Sequence, residues 1–285
     1  MVSNVDRSSP CGSDTPGPCD AGPDCLRRVD ERGDDMPARS RALRPRIALA
    51  ALFAIGVALS GALCAAPSTS GDHLRDARDL VVRVDLAHTS YEHGQGTVTW
   101  DGTASSYTDC SGLVDHLLMH SYGYTPDDFK RWYGSHRPSA RRYYQAIEEQ
   151  TGFQRIDRVT DLRPGDFIAV KYLHRTDDTG HIMMVDHAPE RAVSRSASAS
   201  RGHGEAWLVA IIDSSESGHG PTDTRHKRGA DGRDHDGLGR GVLRLYADAQ
   251  GRVTGFSWSA LDNSQFRGPD DEPVALGRLV PGFRP

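Results

Sequence analysis

The chain has 285 residues, 37% hydrophobic and 26% charged, enough to bury one sizeable core or two modest ones. A net charge of −5 and a pI near 6.2 give no general basic field, which weakens a nucleic-acid reading while leaving room for a local patch, and no nucleic-acid partner is expected.

Residues 1–35 are rich in Ser, Gly, Pro, Asp and Arg and nearly empty of large apolar side chains, which reads as a disordered leader. Arg39, Arg41, Arg44 and Arg46 then precede an uncharged run from Ile47 to Ala66. That is the order of an export signal, so residues 36–66 are read as a signal peptide or, uncleaved, as an N-terminal membrane anchor. Met36 is a natural start for it, which makes residues 1–35 an extension of the reading frame. The working part is then 67–285, exported to the periplasm or cell envelope and touching membrane only through 47–66. Of the five cysteines only Cys110 falls within it. A single cysteine there cannot staple a fold, so it is either inert and buried or a free reactive thiol.

The apolar spacing predicts a helix from Asp72 to Val84. A polar stretch from His88 to Ser106 leads to Asp109-Cys-Ser-Gly-Leu-Val114, where Leu113, Val114, Leu117, Leu118 and Met119 recur at helical spacing. Cys110 would sit in the first turn of that helix, where unpaired N–H groups and the helix dipole favour a thiolate. Thr125-Pro126 followed by Asp127 and Asp128 starts another helix, and a further one is expected over 138–151. Then the period changes to that of strands: one after Pro164-Gly165, one over His181–Asp186, one over Trp207–Asp213, and a hairpin over 241–258 turning at 249–251. Loops at 190–204 and 214–238 are expected to be flexible.

A thiolate nucleophile needs a base, and the base an orienting partner. His181 opens one strand and Asp213 closes the next, so antiparallel pairing of the two would bring them together. Competing constellations are weaker. His219, His226 and His235 fit no regular ligand spacing and read as a solvated loop, so no metal is expected. His116 and His120 on the cysteine helix lack a third ligand beyond Asp115. Tyr143, Tyr144 and Trp132 read as core or groove.

The stretches Asp109-Cys-Ser-Gly-Leu-Val114, Leu162-Arg-Pro-Gly-Asp166 and Gly180-His-Ile-Met-Met-Val185, in this order, resemble the NlpC/P60 family of cell-wall peptidases over about residues 85–215. The resemblance implies an α+β, papain-like fold with N-terminal helices and the cysteine helix packed on an antiparallel sheet. It also implies a Cys110 nucleophile, a His181 base and a third residue where Asp213 stands, a place the family commonly gives to histidine. An upstream tyrosine, Tyr91 or else Tyr107, would help line the oxyanion site, and Asp109 and Ser111 would contact substrate. The expected activity is hydrolysis of amide bonds in peptidoglycan stem peptides, including the bond between D-glutamate and the diamino acid, without a cofactor. A thiol acyltransferase or lipid-directed hydrolase on the same fold, and a silent wall-binding protein, are the alternatives.

Overall fold

A computed structural model describes residues 72–94, 96–193, 202–226 and 235–285, all within the compact unit from Leu63 to Pro285. The leader and the export segment lie outside the described residues. Among the described residues no helix is long and apolar enough to cross a membrane.

The helices form where the caps and the apolar spacing ask for them. Helix α1 spans Asp72–Arg83, α2 Cys110–Tyr122, α3 Pro126–Tyr133 and α4 Ala140–Glu148. The start of α3 is a full capping box, with Thr125 and Asp128 each satisfying the other's backbone N–H. Strands β1 (Thr89–Ser90), β2 (Thr97–Thr99) and β3 (Ser105–Tyr107) form a small sheet in the order β1-β3-β2. The strands that follow are β4 (Phe153–Ile156), β5 (Phe167–Lys171), β6 (Gly180–Val185), β7 (Glu190–Arg191), β8 (Glu205–Ser215), β9 (Gly237–Ala247), β10 (Val253–Ser257), β11 (Phe266–Arg267) and β12 (Val274–Leu279). They make one nine-stranded sheet, ordered β11-β10-β9-β8-β6-β5-β12-β4 with β7 beside β8, and every pairing in it is antiparallel.

This corrects the expected α+β, papain-like fold class. Strands dominate: the described residues hold four α-helices against twelve strands. The physical reason lies on the far face of the sheet. One core, around Leu74, Leu117, Tyr143, Phe167, Ile182 and Met184, joins the helices to the sheet. The second, around Ile168, Met183, Val185, Val209, Ile211, Leu243, Leu245 and Phe256, is made almost wholly of strand residues and is just as fully buried. The long β8 and β9 and the returning β12 extend that face within the same sheet, so the second core is carried by the sheet's own strands and not by a further set of α-helices. Helix α2 also departs from the expected one-sided pattern: Cys110 to Asp115, Leu117 and Leu118 are all buried, because α1, the small sheet and the large sheet enclose it.

The two flexible loops need the same revision. Strand β7 lies within 190–204, and β8 and β9 extend into 214–238 from either side. Residues 194–201 and 227–234 lie outside the described residues. Tyr143 and Trp132 are core residues, 0% and 8% exposed, and Tyr144 is half-buried beside them.

Candidate functional site

The segment before α2 is pinned to the large sheet. Ser214 Oγ on β8 donates to the carbonyl of Thr108, and the Leu238 N–H of β9 donates to Thr89 Oγ1 at 2.7 Å. Asp109 then caps α2, its Oδ1 accepting the Gly112 N–H at 2.8 Å, so Cys110 becomes the first helical residue. Gly112 is required for packing: a Cβ there would collide with Thr108 Oγ1. The Gly112 amide goes to the cap and that of Leu113 to the Asp109 carbonyl, at 3.0 Å. The amides of Cys110 and Ser111 have no acceptor within the helix.

Asp109 and Ser111 are less free to meet a substrate than the family resemblance implies. Asp109 is 6% exposed and pairs with Arg137 at 2.7 Å, while Ser111 donates to Asp109 Oδ1 at 3.1 Å. Burial works against the Asp109 carboxylate, but the Arg137 guanidinium and the Gly112 amide outweigh it and hold the group below its usual range. Their clearest role is to fix the start of α2. The Asp of Leu162-Arg-Pro-Gly-Asp166 is likewise structural, gripped at both oxygens by Arg278 of β12 at 2.8 Å.

His181 is the second residue of β6. Gly180 before it has φ +146 and lies so close to the Val170 carbonyl that a Cβ would collide with it, which explains the Gly-His pair. Strands β6 and β8 pair antiparallel through Met184↔Ile212, and the His181 Nε2 comes 2.7 Å from Asp213 Oδ2. The other ring nitrogen is not taken by Asp213, and Cys110 is near enough to act electrostatically on the same ring. Burial disfavours the imidazolium here, yet the influence of Cys110 and the Asp213 hydrogen bond overcome it and push His181 up to about 10.

Tyr91 follows β1. Burial first, then the nearby Cys110 and Asp109 charges, push its hydroxyl well up, so it stays a protonated donor near the sulfur. Tyr107 is half-buried and pairs within the small sheet.

The sequence reading missed the residues behind Asp213. His219, read as part of a solvated loop, is 1% exposed, and its Nε2 is 2.9 Å from Asp213 Oδ2. Arg225, fully buried, donates to Asp213 Oδ1 at 2.8 Å and to Asp223 Oδ2 at 2.9 Å. The signal for this seat was present in the alternating glycines of Gly237-Leu-Gly-Arg-Gly241 on β9. A Cβ at Gly239 would stand 2.7 Å from the Arg225 guanidinium carbon, and one at Gly241 2.7 Å from His219 Cβ. Against the cost of burial, Arg225, His219 and His181 hold Asp213 well below the usual carboxylate range.

His181, Asp213 and His219 could offer three ligand atoms within 4.8 Å of one another. Both imidazoles, however, address the same carboxylate oxygen at 2.7 and 2.9 Å. Tetrahedral ligands at zinc bond lengths would stand about 3.3 Å apart. The Arg225 guanidinium on the other oxygen adds a further positive charge, so the cluster is a hydrogen-bond hub. His116 and His120 are not drawn into it; His120 stacks on Trp100 with ring centres 4.0 Å apart.

Fold and site together define a cysteine, histidine and aspartate chain set between a helix start and an antiparallel sheet. In the comparisons, no family model matches the chain and no solved structure matches it. Over 202 residues it is 37% identical to the uncharacterized protein R653 of Acanthamoeba polyphaga mimivirus, an alignment covering 67% of this chain and 88% of the viral one. The chain belongs to the same family as that viral protein.

Proposed function

We propose that the chain is a cysteine-dependent hydrolase of amide bonds, exported and acting on the stem peptides of peptidoglycan. The observation that carries the reading is the arrangement itself: Cys110 at the first position of α2, close enough to act on His181, whose Nε2 meets Asp213 at 2.7 Å. The choice of substrate rests on the three cell-wall peptidase motifs alone.

In this reading the Cys110 sulfur attacks the amide carbonyl carbon and forms a tetrahedral oxyanion, with the amides of Cys110 and Ser111 and the Tyr91 hydroxyl as its donors. His181 gives its proton to the leaving nitrogen as the C–N bond breaks, which leaves a thioester. Water then gives a proton to His181 and adds to the thioester carbon, and the acid leaves as the charged pair returns. Asp213 fixes the ring through Nε2 and keeps its other nitrogen on the sulfur.

The test is digestion of purified muropeptides beside a Cys110→Ala control. The reading expects new amino-terminal fragments from the parent and none from the variant. Intact muropeptides with the parent, alongside cleavage of other amides, would replace the substrate; equal activity of both proteins would end the reading.

A further inference from the structure

Asp213 is served by two imidazoles, and the proposed chemistry uses only one. His219 Nδ1 faces the carbonyl oxygen of Trp258 at 2.8 Å, and its Nε2 faces Asp213 Oδ2 at 2.9 Å. A carbonyl oxygen can only accept, so Nδ1 carries a proton. Asp213 already accepts from Arg225 on Oδ1 and stays ionised, so Nε2 must donate as well. Both ring nitrogens thus face acceptors, and the form of the ring that meets both is the doubly protonated one. Among the described residues the charged and titratable groups around it are Asp213 of β8, His181 of β6, and Asp223 and Arg225 of the turn, with Asp223 Oδ2 accepting the His219 backbone N–H at 2.8 Å. His226 approaches the neighbouring Gly218, and the Trp258 ring stacks on His219 at 4.3 Å.

We infer that His219 is a positioning residue of the thiol centre: anchored on the Trp258 carbonyl, it donates to the same Asp213 oxygen as His181 and so divides that carboxylate between two imidazolium rings. The inference rests on the cysteine-hydrolase reading. The consequence is chemical. A carboxylate shared in this way holds the His181 proton less tightly, and an acid that must release its proton to a leaving nitrogen works better when it is not over-stabilised. A merely structural histidine would hold the loop and leave the acidity of His181 unchanged.

Two substitutions separate these roles because each keeps one of the two hydrogen bonds. His219→Gln can still donate to Asp213 but removes the charge, while His219→Asn can still reach the Trp258 carbonyl but loses Asp213. The first measurement is an NMR titration of the His181 ring in the full chain, which needs no substrate. The ring centres of His181 and His219 are 6.4 Å apart. At an effective dielectric of about 20, removing the His219 charge should raise the His181 midpoint by roughly one to two pH units in both variants. The second is the pH profile of muropeptide cleavage, where the alkaline limb should rise by the same amount while kcat falls about tenfold or more and KM holds. If either variant, folded by near-UV circular dichroism, keeps the parent's His181 midpoint, the inference is overturned. If the midpoint moves as expected but neither parent nor variant cleaves muropeptides, the positioning role stands and the hydrolase reading falls.

Discussion

Asp115 and Asp213 are both buried carboxylates, 4% and 1% exposed, yet the protein drives them in opposite directions. Asp115 lies within α2, its principal partner the Tyr143 hydroxyl, which donates to it at 2.5 Å. Burial wins there and lifts Asp115 well above the usual range, favouring the neutral acid. Asp213 pays the same penalty of burial but meets Arg225 and two histidines, and it stays ionised. Depth alone neutralises a carboxylate, and only an array of fixed cations keeps one charged. The sheet end around Asp213 is built to hold charge; the helix core around Asp115 is built to exclude it.

The largest expected effect falls on activity at the charged end. Asp213→Ala should lower muropeptide turnover on the order of 10²- to 10⁴-fold, and Asp213→Asn less, because an amide oxygen still accepts from His181. Initial-rate assays check it; parent-like rates in a folded Asp213→Ala protein would move the third role elsewhere.

Next comes stability. Arg225→Met strips Asp213 and Asp223 of their shared guanidinium and should cost about 3–5 kcal/mol in a denaturant titration, since it leaves buried charge uncompensated. A loss no greater than that of an exposed arginine, such as Arg191→Met, would mean that the hub is not held by Arg225.

The pH dependence separates the groups. His181 is raised to about 10. Its stabilisation is therefore complete below its unfolded value of about 6.5 and is lost as pH rises through the folded value. Asp213 is depressed, so its contribution is present above about 3.9 and is lost on acidification. The melting temperature should crest between about pH 4 and 6.5, and His181→Gln should flatten the alkaline fall. An unchanged alkaline fall in that variant would assign it to other groups.

The smallest effect belongs to Asp115. Its raised value means that the folded protein must hold a proton the unfolded chain gives up at neutral pH. Asp115→Asn should match the parent near pH 4 and be more stable at pH 7, by about 1–3 kcal/mol. A variant less stable at both pH values would show that Asp115 is ionised.

The sequence announced the thiol centre through local rules. A cap before Cys110, a Gly-His strand start and an aspartate closing the next strand each follow from chain-local geometry, and the β6–β8 pairing joins them. What stayed hidden depended on distant partners. His219, Asp223 and Arg225 sit in a stretch whose composition is that of a solvated loop, and only the paired glycines of β9 show that something must lie against that strand. The fold class was misjudged for the same reason. Strand β12, near the chain's end, inserts between β5 and β4, and the long β8 and β9 carry much of the second core. No local periodicity reports either event.

The central proposal is that Cys110 is a nucleophile activated by His181, and its most direct test is the rate of iodoacetamide alkylation at neutral pH, mapped to Cys110 by mass spectrometry. The account predicts that the parent reacts on the order of tenfold or more faster than His181→Ala, because the variant loses the imidazolium that holds the thiolate. Equal rates in the two folded proteins would contradict it and leave Cys110 a buried, inert thiol.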